Sequence, residues 1–154
     1  MLKKTFLLIL FLFLYSCGYE AIHSKKNNAN YDFSINEINF VGDREINLKI
    51  KEKLNNYILD KKNKNFTLKI SSFTKKDILA KNVSGDPTGF KNTITINIEV
   101  LMKDNFKNNL QIIESFNYNN INSKFDLIKY EREIKNNLAE TATEKLIFKL
   151  SNIR

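Results

Sequence analysis

Residues 93–102 alternate with a strict period of two. Ile94, Ile96, Ile98, Val100 and Met102 fall on one side, and Thr93, Thr95, Asn97 and Glu99 on the other. Alternation of this kind, rich in β-branched residues, predicts a strand with one face buried and one face wet. Phe66, Leu68 and Ile70 alternate with Thr67, Lys69 and Ser71 in the same way, and residues 112–118 form a weaker strand pattern. Residues 33–41 read as a further strand, in which the apolar step of three from Ile35 to Ile38 predicts a bulge. Asp104-Asn105 and Asn108-Asn109 bracket a hairpin turn between the last two strands.

Two segments change period. After Gly42-Asp43, the residues Ile46, Ile50, Leu54, Tyr57 and Ile58 recur at helical spacing. Asp43 is placed to cap the first free N–H groups, and Glu45 suits the positive end of the helix. From about residue 126 to 150, Tyr130, Ile134, Leu138, Ala142, Leu146 and Leu150 step by four along one face. Lys129, Glu133, Lys135, Glu140 and Glu144 occupy the opposite, solvated face, and Ser123 with Asp126 resembles a capping box. The order strand-helix-strand-strand-strand-helix predicts an α+β two-layer sandwich, with two helices packed on one face of a four-stranded sheet.

The start of the chain reads as an address. Lys3 and Lys4 precede nine apolar residues, 6–14, and polar residues resume at Ser16. That is the layout of a secretory signal, and it is about half the roughly 20 apolar residues a membrane-spanning helix needs. The run ends in Leu14-Tyr15-Ser16-Cys17-Gly18, which resembles a bacterial lipobox with Tyr15 as its one departure. Cys17 is the only cysteine, so it is the expected lipid attachment point, with residues 1–16 removed. Three acyl chains on one cysteine would make the attachment effectively permanent, since each buried methylene contributes about 0.8 kcal/mol. Gly18 after the cysteine, rather than Asp, resembles lipoproteins sorted to the outer membrane. Residues 17–30, polar and Asn-rich, read as a tether, and residues 31–154 as a single domain.

Composition then removes possibilities. One Cys and one His leave no multi-cysteine zinc or iron–sulfur site and no histidine cluster for a metal, and no motif calls for a cofactor. The single histidine, His23, lies in the tether, which leaves no triad. Glu99 and Glu114 are the one carboxylate pair worth testing for a lipid-anchored hydrolase, although 17 acids supply such pairs by chance. Gly85 and Gly89 lack the helix that a phosphate-binding loop requires. The chain is therefore not expected to be an enzyme.

The net charge is +8, and its position matters more than its size. Residues 43–91 hold 12 bases and 6 acids (+6), and residues 92–154 hold 9 and 8 (+1). The basic half ends in a predicted loop, residues 83–92, with two of the four glycines and the only proline. Lys81 and Lys91 flank it, with Phe90 expected to be exposed beside Lys91. Those three residues form the candidate ligand-binding tip, suited to an amphiphile that carries phosphates and acyl chains. Nucleic acid also matches a basic patch, but the secretory signal argues against it.

The whole pattern resembles the LPS-assembly lipoproteins, the LptE family. The matching features are Cys17-Gly18-Tyr19, the Gly42-Asp43-Arg44 entry to a short helix, the strand pair with a Gly/Pro tip, and the long helix over residues 130–150. The resemblance implies a lipid-anchored, periplasm-facing protein of the outer membrane. It would plug and help assemble the β-barrel LptD and take part in inserting lipopolysaccharide into the outer leaflet, with basic residues such as Lys81 and Lys91 meeting the lipid. A generic outer-membrane lipoprotein that scaffolds or pilots another envelope complex shares the lipobox but needs no basic tip.

Overall fold

The computed structural model describes residues 31–58, 62, 64–102 and 107–153. The signal, Cys17, the tether with His23, and the Asp104-Asn105 turn lie outside the described residues. The chain runs β1 (Phe33–Gly42), α1 (Arg44–Leu54) with a 3-10 turn at Asn55–Tyr57, β2 (Lys64–Lys81), β3 (Pro87–Met102), β4 (Lys107–Asn119) and α2 (Lys124–Ser151). The sheet order is β1-β2-β3-β4. Because β1 and β2 are parallel, α1 serves as the crossover between them, whereas β2-β3 and β3-β4 are antiparallel.

One face of the sheet carries the helices and the core. Phe66, Leu68 and Ile70 of β2 line up with Ile94, Ile96, Ile98 and Val100 of β3, all essentially inaccessible to solvent. Ile46, Ile50 and Leu54 of α1 and Ile134, Leu138, Ala142, Leu146 and Leu150 of α2 close over them, so both predicted stripes face inward. The expected bulge in β1 is present: pairing slips between Ile35 and Glu37. It keeps both Ile35 and Ile38 on the helix side, beside Phe66 and Leu68, despite their odd spacing. Ser123 caps α2 by accepting from the Asp126 N–H at 3.3 Å.

The turn from β1 into α1 fixes where the helices sit. Gly42 has φ +97°, and a Cβ built there would lie 2.0 Å from the Ser72 carbonyl oxygen. The next residue, Asp43, donates its N–H to that same oxygen at 3.0 Å. Its side-chain Oδ1 accepts from the Glu45 and Ile46 N–H groups at 3.0 and 3.2 Å, and Oδ2 accepts from Thr74 Oγ1 at 2.9 Å. Ser72 Oγ donates to Asn47 Oδ1 at 2.7 Å. Lys135 of α2 completes the knot, 3.3 Å from Asp43 Oδ2 and paired with Glu45. One acidic cap thus ties α1 to β2 and α2 to both.

Burial alone would raise the Asp43 carboxyl, but the Ile46 N–H, the Thr74 hydroxyl and Lys135 outweigh it and hold the pKa below its usual value. Lys53 likewise lowers Glu140, but that pair is about half exposed and solvent screens it.

Three outcomes follow. Gly42→Ala is expected to lose more than about 2 kcal/mol in urea denaturation, since it adds a backbone clash to the left-handed penalty. Gly85→Ala, at φ +87° with nothing within 4 Å of its Cβ, is expected to lose only about 1 kcal/mol. Because the folded Asp43 is more acidic than the unfolded one, its stabilisation is fully present above the ordinary carboxylate range. It is lost as pH falls through about 4 and below. Asp43→Asn should flatten that acid limb of a stability-versus-pH curve.

Candidate functional site

The β2–β3 hairpin runs well past β1, whose pairing with β2 stops at Ser72. The predicted ten-residue loop is in fact mostly strand. Pairing continues from Ile78 with Phe90 out to Lys81 with Pro87, leaving a turn of residues 82–86. Asn82 organises it: Oδ1 accepts from the Ser84 and Asp86 N–H groups at 3.0 and 2.8 Å, and Nδ2 donates to Asp86 Oδ2 at 3.1 Å. Pro87 and Gly89 read locally as turn residues, which makes the predicted loop longer than the turn the structure shows. Here Pro87 opens a strand, where proline is tolerated, and a Cβ built at Gly89 would lie 3.5 Å from Ala80 Cβ, in ordinary contact.

This corrects the predicted site. Phe90 is 7% exposed, not a surface aromatic. Its ring lies 5.6 Å from Tyr118, and the Lys76 ammonium sits 3.9 Å above it in a cation–π contact. Tyr118 in turn meets Tyr130 of α2 edge-on at 5.9 Å and donates its hydroxyl to Glu131 Oε1 at 2.8 Å. Glu131 also pairs with Lys76. Burial and the Glu131 carboxylate push the Tyr118 phenol well above its ordinary range. The cluster clamps the hairpin to α2, with the Phe90 ring inside it rather than on the surface. Lys91 lies one residue on and therefore on the other face of the sheet, in register with Asp77 and Asn117. Lys81, exposed, is near the tip. The three predicted ligand residues do not converge. Glu99 and Glu114 do not either: Glu99 faces away from the helices beside Lys107, whereas Glu114 faces them and pairs with Lys145 of α2 at 2.5 Å.

What the sheet does assemble is a surface on its helix-free face. Successive rows read Asn39-Lys69-Glu99-Asn109, then Val41-Ser71-Asn97-Gln111, then Phe73-Thr95-Ile113. The first two rows line a shallow groove of about 590 Å³, with Gln111 Nε2 donating to Asn97 Oδ1 at 2.8 Å. Val41 in the groove and Phe73 and Ile113 beside it are 64%, 53% and 56% exposed. Neither Lys69 nor Lys91 has an ion-pair partner among the described residues. Amide groups, unpaired ammonium groups and apolar side chains on one face can hold an amphiphilic anion by contact. Sequence reasoning missed Val41, Lys69, Phe73 and Ile113 as a set. The available signal was parity: Phe73 shares the side of Thr67, Lys69 and Ser71, and breaks their polarity.

No protein-family model matches the chain, and no curated protein matches it in sequence. Solved structures do match in shape. The rare lipoprotein B of Shewanella oneidensis superposes with a TM-score of 0.61 at 11% identity, covering 75% of this chain and 94% of that one. A minor lipoprotein of Acinetobacter baumannii gives 0.56 at 10%, covering 75% and 90%. A lipoprotein B of Nitrosomonas europaea gives 0.55 at 12%, covering 79% and 86%. The fold is that of these bacterial lipoproteins. At such identities the likeness concerns architecture, and function has to be argued from the surface.

The two faces give a direct check. Phe90→Ala is expected to cost about 3–5 kcal/mol in urea denaturation, as for a buried aromatic. Lys91→Ala, its sequence neighbour on the other face, is expected to stay within about 0.5 kcal/mol of the parent.

Proposed function

We propose that the protein is an outer-membrane lipoprotein of the LptE type. In this reading it is anchored through acylated Cys17, seated in a β-barrel partner of the LptD type, and takes part in placing lipopolysaccharide in the outer leaflet. The observation that carries this is the helix-free face, where Lys69 and Lys91 flank the apolar row of Phe73 and Ile113. Lipopolysaccharide has the matching chemistry, phosphates beside acyl chains. The shared architecture with bacterial lipoproteins and the short signal ending at Cys17 support the anchor. Among the described residues no helix is long and apolar enough to cross a membrane, so attachment in this reading rests on the lipid. Lys81 at the hairpin tip stays a candidate contact, whereas Phe90 supports the face from behind.

Binding of lipopolysaccharide to the purified protein tests the site. Lys69→Glu with Lys91→Glu is expected to weaken it several-fold at low salt, each exposed pair contributing up to about 1 kcal/mol. The deficit should shrink near 1 M salt, where the screening length falls to about 3 Å. Unchanged binding at low salt would remove the face from the mechanism. The anchor is tested separately: Cys17→Ser should release the chain into soluble fractions, and a β-barrel should co-purify with the parent in mild detergent.

A further inference from the structure

The helix-free face changes character along its strands. Toward the hairpin, Lys75 is paired with Asp77 at 2.9 Å, which leaves Lys91 as net positive charge. Away from the hairpin, the groove over the Lys69 and Ser71 rows is lined by four amide side chains, Asn39, Asn97, Asn109 and Gln111, and by the Ser71 hydroxyl. Its lining holds one ammonium, Lys69, and one carboxylate, Glu99, and these two residues are directly paired across β2 and β3. A phosphate placed beside Lys69 therefore lies beside a carboxylate as well, and the attraction of one is offset by the repulsion of the other. The groove is suited to a neutral ligand.

The polar atoms that remain free there are both donors and acceptors. Gln111 Nε2 donates to Asn97 Oδ1 at 2.8 Å. That bond fixes the two amides against each other and leaves Asn97 Nδ2 to donate and Gln111 Oε1 to accept. Asn39 commits Nδ2 to Glu37 at 3.1 Å and keeps Oδ1 as an acceptor. Glu99 commits Oε2 to Lys107 at 3.1 Å and keeps Oε1. A sugar hydroxyl is itself one donor and an acceptor, so a ring with neighbouring hydroxyls satisfies such a set in either sense. Val41, in the same groove, and Phe73 beside it offer exposed apolar surface for the C–H face of the ring. All of these side chains project from paired strands rather than loops, which holds the set in place before a ligand arrives.

We propose that this groove is a saccharide-binding site, with the linked amides of Asn97 and Gln111 as its central contacts. It divides the helix-free face by chemistry. Sugar rings lie over the amide rows, and the apolar part of an amphiphile lies against Phe73 and Ile113. The proposal rests on the lipopolysaccharide reading only for which saccharide is expected, the sugar part of that lipid. A cell-wall glycan presents the same neutral, hydroxyl-rich rings and is the other source of such a ligand.

The test uses the full chain, isotope-labelled, in a detergent without a sugar head, and follows its side-chain amide resonances by NMR. One probe is the oligosaccharide of lipopolysaccharide stripped of acyl chains and phosphates, and the other is the repeating disaccharide of the cell wall. At about millimolar concentration, one or both should shift the Asn97 and Gln111 amides saturably and leave Asn137, exposed on α2, unmoved. The tighter probe identifies the source. Asn97→Ala with Gln111→Ala, followed at Asn109, should weaken binding by about tenfold, as for two lost hydrogen bonds, with unchanged circular dichroism. Asn137→Ala should bind as the parent does. The proposal is overturned if neither saccharide shifts the groove amides saturably, if Asn137 shifts as much as Asn97, or if the double variant binds like the parent. The lipid reading is judged separately. Where Lys69→Glu with Lys91→Glu weakens binding of intact lipopolysaccharide but neither saccharide moves these amides, that reading stands and the saccharide site falls. Where a saccharide binds but intact lipopolysaccharide binds no tighter than its oligosaccharide, the site stands and that reading falls.

Discussion

The architecture depends on a single backbone approach. At Gly42 the chain passes so close to the Ser72 carbonyl that no side chain fits, and that closeness lets the Asp43 N–H reach the same oxygen. Everything above the sheet is placed from there. The Asp43 carboxylate starts α1, and Thr74 and Lys135 hold that carboxylate to β2 and α2. Ile46, Ile50 and Leu54 then point at the core by helical spacing alone. Partial burial of the cap is tolerated because N–H, hydroxyl and ammonium donors surround it, which keeps it ionised.

With both helices committed to one face, the other face is left free, and its composition becomes the functional question. A face that merely met water would need only polar side chains. This one alternates amides and lysines with Val41, Phe73 and Ile113, so it trades solubility for contact. The long β2–β3 hairpin extends the surface beyond the end of β1. The Phe90–Tyr118–Tyr130 cluster with Lys76 and Glu131 keeps that extension from swinging away from α2. The hairpin is thereby tied to the helix layer.

Much of the fold was legible because periodicity is a local property. The β3 alternation, the i, i+4 stripe from Ile134 to Leu150, the Asp43 and Ser123 caps and the Ile35–Ile38 bulge each follow from a few neighbouring residues. The candidate site was less legible because it is defined by register. Val41, Phe73 and Ile113 come together only through pairing between strands far apart in sequence, which no single stretch encodes. The misplacement of Phe90 has the same origin. Pro87 and Gly89 look like a turn locally, but the strand begins at Pro87, and parity then sends Phe90 inward and Lys91 outward.

In the proposed function the helix-free face, and not the helix side, meets the lipid. A photo-reactive amino acid placed in living cells at Phe73, on that face, and at Leu48, equally exposed on α1, tests it most directly. Adducts with lipopolysaccharide are expected from position 73 and not from position 48. Equal labelling from both positions, or labelling from position 48 alone, would contradict the claim.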